Sequence, residues 1–212
     1  MTTLAALKVI LQSEVPAVNS VPTSDQYDQA IKDAVADFSR RCGKVKNSTL
    51  PVVSGTATYT LPSDFLQMIE LESPFDPEHN VMITSSGIVP FNSITGFEEE
   101  VTIQGLSLTI YPTPEYTVSR FYEYKAGWVL SGGDFVNLGD AETSIVMIKA
   151  KQLAKDKIKN SLASSGSMKY SFGAVSVDKG AALDQLDKDM FKLHGDYVEA
   201  CKDYNGAVGG AF

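Results

Sequence analysis

The chain has 212 residues, 43% of them hydrophobic, which is enough apolar material for a buried core in one large domain or two small ones. Its formal net charge of −8 argues against general nucleic-acid binding through phosphate contacts. No run reaches the roughly 18 apolar residues of a membrane span, and Met1-Thr2-Thr3-Leu4 does not open a signal peptide, so synthesis in the cytoplasm and no membrane association are expected.

Residues 4–14 read as a short helix, followed by a loop between Val15-Pro16 and Val21-Pro22. A second helix opens on a capping box, Thr23-Ser24-Asp25-Gln26, in which the Thr and Gln side chains satisfy each other's free backbone donors. Its apolar face is Tyr27, Ala30, Ile31, Ala34, Val35 and Phe38, and Gly43 ends it near Cys42.

From about residue 51 the period falls to two and the residue types turn to Val, Thr, Ile, Tyr and Phe. Strands are expected at Thr56 to Leu61, Leu66 to Leu71, Val101 to Gln104, Leu106 to Tyr111 and Val118 to Val129, with a hairpin at Gln104-Gly105. Pro74, Pro77, Pro90, Pro112 and Pro114 confine the stretches between them to turns or edges.

A third helix is expected from Asp140 to about Leu162, with Val146, Met147, Ala150, Leu153, Ala154 and Ile158 on one side. Lys149, Lys151, Lys155, Lys157 and Lys159 crowd its second half, as the helix dipole favours; the alternative is a basic stripe that touches DNA or an acidic neighbour. Ser164-Ser165-Gly166-Ser167 then reads as a link, and Met168 to Val177 as an extended piece. The last helix, from about Asp178 to Tyr204, carries a heptad seam of Leu183, Leu186, Met190, Leu193, Tyr197, Ala200 and Tyr204. The seam is expected to pack against the preceding helix, and Gly195 within it to mark a close backbone contact. The segment Gly206, Ala207, Val208, Gly209, Gly210, Ala211 and Phe212 reads as flexible, with Val208 and Phe212 as apolar anchors.

The fold class that results is α+β: a helical bundle built from the N- and C-terminal helices, with an inserted antiparallel β domain. The expected divisions are 1–50 for the N-terminal helices, 51–135 for the β domain, 136–204 for the C-terminal helical pair and 205–212 for the tail. Charge follows the same division. The 73 residues between Lys46 and Arg120 contain no Lys or Arg and nine acids, while the remainder has 17 acids against 18 bases.

No grouping for catalysis is found. The two histidines, His79 and His194, form no triad order, no phosphate-loop or dinucleotide motif occurs, and Cys42 and Cys201 lack metal-ligand spacing. No catalytic residue, metal or other cofactor is therefore expected. The run Glu98-Glu99-Glu100 lacks the spaced Asp/Asn/Gly loop of a calcium site and reads as an exposed acidic turn.

One resemblance emerges from this organisation. Tyr59-Thr60-Leu61-Pro62-Ser63-Asp64-Phe65, after an N-terminal helix with Tyr27 and Ala30-Ile31, resembles the Y-x-L-P-x-D-F feature of tailed-bacteriophage head-to-tail adaptor proteins. Tyr170 to Val177 leading into a long helix is similar to the last extended segment and helix of that family, and the long β section is like that of the podovirus type. The resemblance implies a virion protein at the head–tail junction that forms a homo-oligomeric ring of about twelve copies. It implies the portal protein and tail nozzle or fibre proteins as partners, with genomic DNA passing through non-specifically. Gly206 to Phe212 would then be the portal-docking segment. Glu98, Glu99, Glu100, Lys149, Lys151 and Lys155 are candidate partner or channel contacts. The alternatives are another tail, baseplate or fibre-attachment subunit and, from a different class, a carbohydrate-binding module using Tyr111, Tyr116, Tyr122, Tyr124 and Trp128 as a stacking platform.

Overall fold

The computed structural model describes residues 2–73, 75–76, 81–84, 87–90, 99–131, 133–135, 138–165, 169–172 and 175–209. The elements begin with β1 (Thr2–Thr3), α1 (Leu4–Glu14), α2 (Ser24–Cys42), β2 (Lys44–Val52), β3 (Thr58–Thr60), β4 (Phe65–Leu71), β5 (Phe75–Asp76), β6 (Val81–Thr84) and β7 (Gly87–Pro90). They continue with β8 (Glu100–Gln104), β9 (Ser107–Tyr111), β10 (Val118–Ala126), β11 (Leu130–Ser131), β12 (Asp134–Phe135), α3 (Asp140–Ser164), β13 (Lys169–Phe172), β14 (Val175–Asp178) and α4 (Lys179–Gly209). The class is α+β, with antiparallel sheets inserted between N- and C-terminal helices. Contacts divide the chain into two compact units, Met1–Cys42 with Trp128–Phe212, and Gly43–Gly127.

In the helical unit each helix forms for a local reason and is held by a shared core. Thr3 caps α1, its hydroxyl accepting from the Ala6 N–H at 3.0 Å, and Leu7 and Leu11 are fully buried on its inner face. Burying each of these leucines contributes about 2 kcal/mol. The capping box of α2 forms as expected: the Thr23 N–H donates to Gln26 Oε1 at 2.8 Å and the Gln26 N–H to Thr23 Oγ1 at 3.3 Å. All six residues of the expected apolar face are buried.

Helix α3 packs on α1, α2 and α4. It lies antiparallel to α4, since Lys155 pairs with Asp189, Lys159 with Asp187, and Tyr204 donates to Glu142 at 3.0 Å. Phe38 stacks on Trp128 with centroids 4.7 Å apart and meets Tyr204 edge-on at 5.4 Å, so both chain ends of the unit close on one aromatic cluster.

In the β unit, β10 is the central strand of the sheet β2-β10-β4. Its even-numbered residues from Val118 to Ala126 are all buried, and Val118, Tyr122, Tyr124 and Ala126 join Leu50, Val52, Leu61, Phe65, Leu108 and Ile110 in a second core. A second sheet, β3-β9-β8, contains the expected hairpin, whose tight turn uses Gly105 at φ +62°. A third sheet has the order β5-β6-β7.

Several boundaries differ from the sequence expectation. Strand β2 begins at Lys44, within the stretch grouped above with the N-terminal helices, because its polar residues pair along the length of β10. Strand β10 stops at Ala126, after which Trp128 turns into the helical core. The extended piece 168–177 contains a hairpin of β13 with β14. Helix α4 continues to Gly209, five residues past Tyr204; a glycine costs only about 1 kcal/mol in a helix that is already propagating. Among the described residues Gly195 makes no close backbone contact: it is exposed, and a Cβ there would meet nothing within 4 Å.

Candidate functional site

Most of the basic stripe of α3 is engaged inside the helical unit. Lys151 pairs with Glu14 of α1 at 2.9 Å, and Lys155 and Lys159 pair with Asp189 and Asp187 of α4. Lys149 donates to Gln152 and lies 5.5 Å from the centroid of the Tyr197 ring, with the Arg41 guanidinium 5.7 Å from the same centroid. Lys157 is exposed. The stripe therefore fastens α3 to its neighbours. The Lys155 ammonium, hydrogen-bonded to Asp189, holds that carboxyl below the usual carboxylate range.

The acidic run resolves differently from an exposed turn. Glu99 is 10% exposed and receives Arg120 Nη1 at 2.6 Å and the Tyr116 hydroxyl at 2.6 Å, while Arg120, 4% exposed, also donates through Nε to the Glu72 carbonyl at 2.7 Å. The reason is geometric: Glu99 shares the inward phase of the strand with Val101, whereas Glu100 faces solvent. Burial, followed by the bond to Glu99, pushes the Tyr116 hydroxyl well above its ordinary pKa. Glu98 and His79 lie outside the described residues.

The proposed stacking platform does not assemble. Tyr122 and Tyr124 are buried in the β core, Trp128 is in the helical core, Tyr116 is held by Glu99, and Tyr111 stands 70% exposed. Tyr124 donates to Asp64 at 3.1 Å, and burial together with the Asp64 charge pushes its pKa up to about 12. Of the C-terminal segment, Gly206, Ala207, Val208 and Gly209 continue α4, and Gly210, Ala211 and Phe212 lie outside the described residues.

Three features escaped sequence reading. On the outer face of the β2-β10-β4 sheet, Glu70, Glu72 and Glu123 surround the exposed Phe121 in an open depression. In the helical unit, a cavity of about 370 Å³ has apolar walls of Val15, Pro16, Val18, Ile158, Ala182 and Leu186. Its mouth carries Glu14, Lys155, Gln185 and Asp189. The third is Phe191, 82% exposed on α4. The available signal was that Phe191 is a large apolar residue off the heptad seam, between Met190 and Lys192. The cavity gathers residues from three separated segments and has no sequence signal.

Cys42 and Cys201, 159 residues apart, meet in the core, where Cys42 Sγ approaches the Cys201 carbonyl at 3.8 Å. Among the described residues, no group of three or more His, Cys, Asp or Glu side chains is placed to hold a metal ion. The arrangement is one of packing surfaces and fixed ion pairs.

Comparison with known proteins gives a family match: the model of the SU10 adaptor protein family matches residues 2–143. The match runs from β1 through the whole β unit into the first turn of α3. No curated protein matches the sequence. Among solved structures, a chain described as "Neck of empty GTA particle computed with C6 symmetry" is 12% identical, with 86% of this chain and 87% of that chain covered and a TM-score of 0.27.

Proposed function

The chain belongs to the SU10 adaptor protein family, and from that membership we propose that it is a virion protein of the phage head–tail neck, forming a ring between portal and tail through which DNA passes. The observation that carries this reading is the family match across both the N-terminal helices and the inserted β unit. The charge distribution supports it: a β unit whose first 73 residues after Lys46 contain no base adds little counterion-release affinity for phosphates and so little friction for moving DNA. An exposed acidic face such as Glu70, Glu72 and Glu123 also suits a basic tail component.

Native mass measurement and negative-stain imaging, of the protein alone and mixed with portal, test the proposal. The expected result is a ring, alone or on the portal. A protein that stays monomeric and ignores the portal rules it out. Residues 206–212 form the portal-docking segment in this reading, short and glycine-rich, and gain affinity by repetition around the ring. Their deletion leaves the melting transition unchanged and abolishes portal binding; unchanged binding in a pull-down removes the segment from the docking surface.

A further inference from the structure

Among the described residues, little covers Phe191. At 82% exposure on the longest helix it offers water nearly its whole ring, and Gly195, one turn further on the same face, leaves open space beside it. At 100° per residue, the cavity-lining Ala182, Leu186 and Asp189 lie on the face of α4 opposite Phe191, so the ring cannot reach its own subunit's cavity. An apolar cavity of about 150 Å³ already accepts a benzene ring. The 370 Å³ found here therefore admits a phenyl side chain with part of the helix edge that carries it.

Charge does not oppose the fit. Lys188 and Lys192 flank Phe191, and both are exposed. The cavity mouth is charge-balanced, since Glu14 and Asp189, 41% and 36% exposed, are paired with Lys151 and Lys155, so it does not repel Lys188 and Lys192 as a basic mouth would. Ile10, 45% exposed and one turn before Glu14, extends the apolar surface from the mouth along α1.

We infer that Phe191 of one copy seats in the apolar cavity between the α1–α2 loop, α3 and α4 of a second copy. Knob and cavity lie on different faces, so the contact is head-to-tail: each copy leaves one knob and one cavity open, and addition continues until the rotation closes a ring. Closure into a ring rests on the adaptor reading above; the pairing of the two surfaces rests on this geometry.

The test uses the full chain in three forms: wild type, Phe191→Asp, and Gln185→Trp, which fills the cavity mouth from an exposed position. Both variants keep the wild-type far-UV circular dichroism, because neither site is in the core. Light scattering and native mass spectrometry across a concentration series read the assembly. Wild type associates, and each variant associates more weakly by on the order of 30-fold or more, as for a buried aromatic anchor. An equal mixture of the two variants gives a dimer and nothing larger, since Phe191→Asp keeps its cavity and Gln185→Trp keeps its knob.

Wild-type assembly by Phe191→Asp overturns the inference, as does undiminished assembly by Gln185→Trp, a mixture that yields no dimer, or a wild-type chain that stays monomeric. Wild type that binds portal while either variant assembles normally overturns this pairing and leaves the adaptor reading standing.

Discussion

Arg120 and Glu99 show what one buried pair demands of its neighbours. The guanidinium is satisfied by a carboxylate and by the Glu72 carbonyl, and the carboxylate also takes the Tyr116 hydroxyl, so removing one member strands the others without water. Glu99→Leu therefore destabilises the β unit by about 3 kcal/mol or more. Glu99→Leu with Arg120→Met recovers most of that loss, because no buried charge remains unpaired. Urea unfolding followed by circular dichroism distinguishes the two; equal losses would mean that the pair contributes no such coupling. The reading of Glu99 as part of an exposed turn failed, because which of three successive glutamates meets an arginine 21 residues away is a tertiary fact. Gly195 is the reverse case. No contact among the described residues explains it, so Gly195→Ala raises the stability of the helical unit by about 1 kcal/mol. That gain is best measured as the denaturation midpoint of the Phe191→Asp chain, where association does not contribute.

Helices α1, α2 and α3 were legible because their evidence is local: a 3.6-residue period, a capping box and acids in the first turn act within a few residues of where they stand. Strand β2 was not, because only Leu50 and Val52 are buried, and the strand exists through pairing with β10 about 70 residues further on. The α3–α4 hairpin lies between these cases: the seam was visible, and its charge pairing was not. Lys155 holds the Asp189 carboxyl below the ordinary range in the folded state, so this pair contributes stability that is fully present above the unfolded carboxylate pKa. The contribution disappears as pH falls through the lower folded value. Asp189→Asn is therefore less stable than wild type near neutrality, and the gap between their melting temperatures narrows at acid pH, below about 4. A gap that stays constant with pH would assign the difference to packing and not to charge.

At the scale of the whole chain, the β unit interrupts a helical unit that closes without it. The Trp128 N–H donates to Ser39 Oγ at 3.1 Å and its ring stacks on Phe38, so the chain returns within about one helical turn of where α2 ends. Every residue of the first core, from Leu7 to Cys201, comes from the two flanking segments, and the acidic β unit has a separate core of its own. The inserted architecture was legible because period and charge both change along the sequence. The candidate interface was not, because the cavity joins residues about 170 positions apart and exposure of Phe191 depends on which face of α4 the seam buries. Replacing residues 43–127 with a short Gly/Ser linker from Cys42 to Trp128 leaves a chain with its core, its knob and its cavity intact. That chain melts cooperatively with a helical spectrum, because no core residue has been removed. It also assembles in light scattering as wild type does, because both surfaces remain, and Phe191→Asp in the same background returns it to monomer. Loss of the cooperative melt would place part of the helical unit's stability in the β insertion, while a folded but monomeric product would move the self-association surface to residues 43–127.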